Sequence, residues 1–191
     1  MSNAVLLLCA YLVGSVPGSW LMAPAGHLDM RTVGSGNVGG MNVMRNASLP
    51  AGLLGGLIDV AKGTVAVLLA MRFSTAPHLP LAAAVLAVAD HNFVPYLRFR
   101  SDKGLSALAG GLLILSPQLL LVLLVVTGAG VLVLPDTMMG VAAAITLAPV
   151  AAWLLKRELA WVLYGAGLAV MILVKLLPDF TAFVRGRRQL V

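Results

Sequence analysis

Residues 104–134 read GLSALAGGLLILSPQLLLVLLVVTGAGVLVL, without one Asp, Glu, Lys or Arg. Water does not solvate such a stretch, whereas a helix crossing a bilayer needs about 20 residues of this kind. Ser116-Pro117 divides it, because a residue before proline is pushed out of the helical region. Gly104 to Leu115 then runs only about 18 Å at a rise of 1.5 Å per residue, too short to cross the hydrocarbon alone. That length suits a half-helix lining a cavity inside the protein, and Pro117 to Leu134 is a fuller window.

Outward from this stretch, further apolar windows run from Ala4 to Met22, Leu53 to Met71, Leu79 to Leu97, Thr137 to Leu155 and Leu159 to Leu177. The pattern predicts an all-α polytopic membrane bundle of about seven transmembrane helices, one of them short, with residues 1–191 forming a single transmembrane domain. Composition agrees. Of 191 residues, 60% are hydrophobic and 10% charged, with a mean hydropathy of +0.99; a soluble domain has about 45–50% apolar and about 25% charged residues. Chemistry must therefore sit in short loops and at helix ends.

The basic residues predict orientation. With the N-terminus outside, Arg31, Arg45, Lys62, Arg98, Arg100, Lys103, Lys175, Arg185, Arg187 and Arg188 fall on the cytoplasmic side, and Arg72, Lys156 and Arg157 outside. This satisfies the positive-inside bias and puts the C-terminus in the cytoplasm. The net charge of +6 is then a topology signal, and nucleic acid is not an expected partner. The chain carries no Lys or Arg before Arg31, so the first apolar segment reads as a retained helix despite the cleavage-like Ala23-Pro24-Ala25. A single cysteine, Cys9, makes no internal disulfide, and neither a metal site nor a cofactor is expected. Gly14 and Gly18 form a small-xxx-small pair for close helix packing, and the halves show no matching broken helices of the transporter kind.

The longest polar stretch, Gly26 to Pro50, holds Asp29-Met30-Arg31 and then Gly34-Ser35-Gly36-Asn37-Val38-Gly39-Gly40-Met41-Asn42-Val43-Met44-Arg45. Glycines let backbone N–H groups turn toward an anion, and Ser35, Asn37 and Asn42 add side-chain donors beside Arg31 and Arg45. Gly34-x-Gly36-x-x-Gly39 also spells a dinucleotide fingerprint, but it follows a membrane helix rather than a strand. In the next window Asp59 and Lys62-Gly63 stand in apolar surroundings; charges there are costly and are paired, functional or both. The third window ends in Asp90-His91-Asn92, followed by Arg98, Arg100 and Lys103-Gly104. Two basic, glycine-containing loops on one side of the membrane read as a phosphate pocket. His91 is a candidate acid or base, since an imidazole can take or give a proton. No nucleophile elbow is present, and the fifth residue after His91 is Tyr96 rather than the Asp of a His-x-x-x-x-Asp motif.

Gly14-Ser15-Val16-Pro17, the spaced set Asp29-x-Arg31-x-x-Gly34-Ser35-Gly36-Asn37-x-Gly39-x-x-Asn42-x-x-Arg45, and Asp59-x-x-Lys62-Gly63 together resemble the PlsY family. Those bacterial membrane enzymes move a fatty acyl chain from acyl phosphate to glycerol 3-phosphate. The resemblance covers about half the chain, Val13 to Lys103, and implies both substrates, a membrane-lipid setting and no cofactor. It places the glycerol 3-phosphate phosphate against Arg45, Lys103 and Lys62, with Gly104 beside them. The acyl phosphate head then lies against Ser35, Asn37, Asn42 and the backbone of Gly34, Gly36 and Gly39, and the acyl chain between helices. His91 or a substrate phosphate takes the proton, while Asp59 and Ser15 support the site. This chain departs from the family pattern at Asp90-His91, where the family reads Gly-His, and at Ser101-Asp102-Lys103-Gly104, where it reads Gly-Gly-Lys-Gly. Two extra carboxylates are expected to weaken anion binding. Anchored on Gly186, the third signature finds Leu176 and Asp179 where the family has His and Asn. A second expectation is therefore a PlsY-like protein that binds or transports an anion or lipid without turnover.

Overall fold

The computed structural model describes residues 2–23, 29–92, 102–134 and 136–184, with side chains through 181. Arg98, Arg100, Ser101 and the Arg185 to Arg188 tail, all weighed in the topology or the signatures, lie outside the described residues. Every described element is helical: α1 (Asn3–Gly14), α2 (Gly18–Met22), α3 (Gly40–Asn46), α4 (Leu49–Phe73), α5 (Leu79–Asn92), α6 (Leu105–Leu115), α7 (Pro117–Val133), α8 (Thr137–Lys156) and α9 (Leu159–Val184). Four stretches are long and apolar enough to span a membrane: Asn3–Met22, Leu49–Phe73, Thr137–Lys156 and Leu159–Thr181. Helices α5, α6 and α7 are apolar but shorter. The protein is thus an all-α polytopic membrane bundle.

The chain separates between Leu115 and Ser116 into two compact units. In the first, α4 is the hub, meeting α1, α2, α3, α5 and α6. Lipid tails are as apolar as leucine, so the helices associate by close packing of small residues rather than by escape from water. Leu6, Ala10, Ala66, Ala70, Leu79, Ala83 and Ala87 form one such buried cluster. A Cβ at Gly14 would stand 2.8 Å from the Ala87 backbone, and one at Gly18 would stand 2.6 Å from the Ile58 side chain. Gly63 backs onto the Ala107 carbonyl and Gly110 onto the Val60 carbonyl, with no room for a Cβ at either. Large apolar side chains such as Leu8, Leu12, Leu53 and Leu57 point outward, as a lipid-facing surface requires.

Two features differ from a plain reading of apolar windows. The first window is not one helix: α1 ends at Gly14, and Pro17 precedes α2, because proline has no N–H to continue the ladder and restricts the residue before it. The polar stretch is not all loop either, since α3 forms over Gly40–Asn46 and packs on α4. A Cβ at Gly40 would lie 2.9 Å from the Gly52 carbonyl, so glycine permits that approach.

In the second unit α8 packs against α7 and α9. Gly130 meets Gly140, and Gly165 meets Pro149. Helix α8 starts on an Asp136 cap, whose carboxylate accepts the Met138 N–H at 2.6 Å. It ends at Arg157 in the left-handed region, φ 56°. Ser116 caps α7 through the Leu119 N–H at 3.3 Å.

Candidate active site

The helix break at Ser15 to Pro17 exposes backbone groups that no lipid can satisfy. Asp59 and Lys62, one turn apart on α4, meet that need. The Asp59 carboxylate accepts the backbone N–H of Gly18 at 3.0 Å, the N–H of Ser19 at 3.2 Å and the Ser19 hydroxyl at 2.6 Å. Lys62 Nζ donates to the Val16 carbonyl at 2.7 Å and pairs with Asp59 at 3.0 Å. Both side chains are buried, with 1% and 3% exposure. Ser15, expected as a support, donates its hydroxyl to the Leu12 carbonyl at 2.7 Å.

Lys62 also donates to His91 Nδ1. When Lys62 is an ammonium it can only donate, so Nδ1 accepts and the other ring nitrogen, Nε2, is left to face away. That nitrogen faces Asp102 Oδ2 at 3.5 Å. Asp102 in turn accepts from Asn37 Nδ2 at 2.8 Å, joining segments 65 residues apart. One chain of polar contacts therefore runs Ser19, Asp59, Lys62, His91, Asp102, Asn37. Burial pushes the Asp102 carboxyl up, but hydrogen bonds from His91, the Lys103 backbone and Asn37 outweigh it and hold it well below the usual carboxylate range.

The glycine-rich loop is built around Asn42. Its amide donates to the carbonyls of Met30 at 3.2 Å, Val33 at 3.0 Å and Asn37 at 2.7 Å. Its Oδ1 accepts the Ser35 N–H at 3.2 Å and the Asn46 amide at 2.9 Å. Gly34 and Gly36 take positive φ, 59° and 70°, which glycine adopts without strain. Met30, Val38 and Val43 form the loop's own buried core. Gly104, at φ 77°, packs against the Asn92 side chain, leaving no space for a Cβ. At Gly39 a Cβ would stand 2.5 Å from the Asp102 carboxylate.

The structure thus brings Asn37, Gly39, Asp59, Lys62, His91 and Asp102 into one network, with Gly34, Gly36 and Asn42 shaping the loop beside it. Ser35 and Arg45 are exposed, and Lys103 is buried. Several roles differ from the sequence expectation. Asn42 spends its amide on the loop's backbone rather than presenting it to a ligand, because that backbone turns too tightly to satisfy its own carbonyls. Lys62 has its ammonium engaged by three partners. His91 has Nδ1 against Lys62, with Nε2 3.5 Å from the Asp102 carboxylate. Arg31 is held by Asp29 in a two-pronged pair, with contacts of 2.7 and 2.8 Å; that bond and charge raise its pKa. Ser19 and Asn46 went unread as site residues. The signal for Ser19 was its place just after a proline break, opposite an intramembrane carboxylate that needed donors.

In the second unit, Leu134, Asp136, Met138, Met139, Ala142, Leu176, Asp179 and Phe180 line a separate, largely apolar cavity. Its two carboxylates make it a poor place for an anion.

The glycerol-3-phosphate acyltransferase family model matches residues 4–186. A glycerol-3-phosphate acyltransferase of Rubrobacter xylanophilus is 34% identical over 186 residues, covering 97% of this chain and 94% of the relative. One from Thermus thermophilus is 44% identical over 115 residues, 60% of this chain; the aligned part spans only 58% of that relative's length. Among solved structures, PlsY, an integral membrane glycerol 3-phosphate acyltransferase, in its glycerol 3-phosphate form superposes with a TM-score of 0.89. That match is 23% identical and covers 100% of this chain and 96% of PlsY. The chain belongs to the glycerol-3-phosphate acyltransferase family.

Proposed function

We propose that this protein transfers a fatty acyl group from acyl phosphate to the 1-hydroxyl of glycerol 3-phosphate, yielding lysophosphatidic acid and inorganic phosphate for phospholipid synthesis. The observation that carries the reading is the meeting of Asn37, Asp59, Lys62 and His91, from three separated signature segments, in one buried network beside the Gly34 to Gly39 turn. Acyl phosphate is a mixed anhydride, already activated, so positioning and charge stabilisation supply most of the acceleration. The substrate hydroxyl oxygen attacks the acyl carbon, the bond from that carbon to the phosphate oxygen breaks, and the hydroxyl proton passes to a phosphate. A phosphate with a second pKa of about 6 suits that task, and in this reading His91, turned to Lys62 through Nδ1, helps to organise the site.

Arg45 and Lys103 bind the phosphate of glycerol 3-phosphate; Ser35 and the backbone of Gly34, Gly36, Gly39 and Gly104 face the acyl phosphate head. Lys62 acts through His91 and the α1 to α2 break. The acyl chain lies among membrane-facing helices. In this reading residues 1–191 form one transmembrane domain in a bacterial cytoplasmic membrane, crossing seven times with α6 as a half-helix, N-terminus outside and C-terminus in the cytoplasm. Asp102, with Leu176 and Asp179 at the third-signature positions, favours a second reading: a relative that binds or transports an anion or lipid without turnover.

Phosphate release by purified protein given acyl phosphate, with and without glycerol 3-phosphate, separates the two. The enzyme releases phosphate only with the acceptor present and makes lysophosphatidic acid at a modest rate with a raised KM for the acceptor. Arg45→Ala and Lys103→Ala then weaken acceptor binding by about 1.5–3 kcal/mol each, the range for a charge-assisted contact, while Arg72→Ala and Lys156→Ala do not. Product at the no-protein background, from folded protein that still binds glycerol 3-phosphate, overturns the enzymatic reading.

A further inference from the structure

Asn37 is half-satisfied. Its Nδ2 donates to Asp102, while its Oδ1 is enclosed and has no hydrogen-bond partner among the described residues. A buried acceptor left alone is rare in a native protein and costly to keep. An asparagine amide ordinarily turns over to suit its surroundings, but a carboxylate only accepts. With Asp102 in place, Nδ2 must face it and Oδ1 must face away. On the other side of the carboxylate stands His91, with Nε2 3.5 Å from Oδ2 and Nδ1 turned to Lys62. Gly39, having no Cβ, lets the carboxylate lie close against the loop, where a Cβ would stand 2.5 Å from it. The free end of Asn37 therefore offers a lone pair and no hydrogen. A phosphate dianion has nothing to give it; an alcohol does.

We propose that Asp102 is a positioning residue that fixes the Asn37 amide with its oxygen free, so that Asn37 Oδ1 accepts a hydrogen bond from a hydroxyl of the polyol phosphate acceptor. This rests on the acyltransferase reading for the identity of the acceptor. It gives Asp102 a use beyond repelling anions: the carboxylate selects for a hydroxyl-bearing substrate, and Asn37 orients that hydroxyl.

The experiment measures binding to full-length protein in detergent micelles by titration calorimetry. The probes are glycerol 3-phosphate, 2-hydroxypropyl phosphate and 3-hydroxypropyl phosphate, which carry the same charge but differ in one hydroxyl. Wild-type protein is expected to prefer glycerol 3-phosphate over one of the two deoxy compounds by about tenfold or more, as a site left with an unpaired polar group rejects the analogue that lacks the partner. Asp102→Gly and Asp102→Ala bring that ratio to within about twofold by freeing the amide to turn, and Asn37→Ala does the same. A role confined to charge or to holding the loop moves the affinities for all three ligands together and leaves the ratio intact; that result in the Asp102 variants, or an undiminished ratio in Asn37→Ala, overturns the proposal. Equal binding of all three ligands by the wild type also overturns it, while leaving the acyltransferase reading standing. Discrimination without turnover supports the proposal and removes the acyltransferase reading. Failure of wild-type protein to bind any of the three removes both.

Discussion

Asp59 answers for four groups at once: Lys62, the Gly18 N–H, the Ser19 N–H and the Ser19 hydroxyl. Removing one member of a buried ion pair leaves the other uncompensated and costs about 3–5 kcal/mol, whereas losing one hydrogen bond to a charged group costs about 1.5–3 kcal/mol. Asp59→Ala is therefore expected to lower the thermal unfolding midpoint in micelles well beyond Ser19→Ala. Equal losses would mean that the pair does not hold the α1 to α2 break. Asp102 adds a pH dependence. Its folded pKa lies below its unfolded value of about 3.9, so the stability it contributes is present above about pH 4 and is lost as pH falls below that toward the folded value. The gap between the unfolding midpoints of wild type and Asp102→Asn, measured from pH 6 to pH 3, should narrow as pH falls below about 4. A gap that stays constant would show that the carboxylate is not held in its ionised form.

At the scale of elements, α4 carries two glycines of opposite meaning. A Cβ on Gly63 would collide with the Ala107 carbonyl of α6, while one on Gly56 would meet nothing within 4 Å. Alanine at Gly56 should be neutral or stabilise by about 0.5–1 kcal/mol through the helix backbone alone. Gly63→Ala must push α6 away and should cost about 1–3 kcal/mol or more, the range for overpacking. It should also loosen the bond from the Thr64 hydroxyl to the Gly110 carbonyl, now 3.0 Å. Unfolding of the two variants side by side is the measurement, and indistinguishable midpoints would argue against this close α4 to α6 seam.

For the whole molecule, the testable property is its orientation. In a background lacking Cys9, single cysteines at Arg45, Ser74 and Arg187 should react with a membrane-impermeant reagent in intact cells only at Ser74. Labelling of Arg187 from outside would reverse the C-terminal half of the proposed topology. The prediction rests on the charge bias between loops, which acts as the chain inserts.

The sequence by itself determined what local chemistry controls. Apolar windows mark the helices because each membrane-embedded segment must satisfy its own backbone. Ser116-Pro117 marks the start of α7 because proline halts the helix before it. The spacing of Asp59 and Lys62 already put them one turn apart, and the glycines at 34, 36 and 104 stand where φ is positive. Only the tertiary structure decided where the polar groups point. Nothing local tells that Asn42 turns into its own loop, that Lys62 reaches both Val16 and His91, or that Asp102 finds Asn37 across 65 residues. Those partnerships exist because α4 brings the α1 to α2 break, the end of α5 and the start of α6 together, and a hydrogen bond a few ångströms long is set by that packing rather than by spacing along the chain.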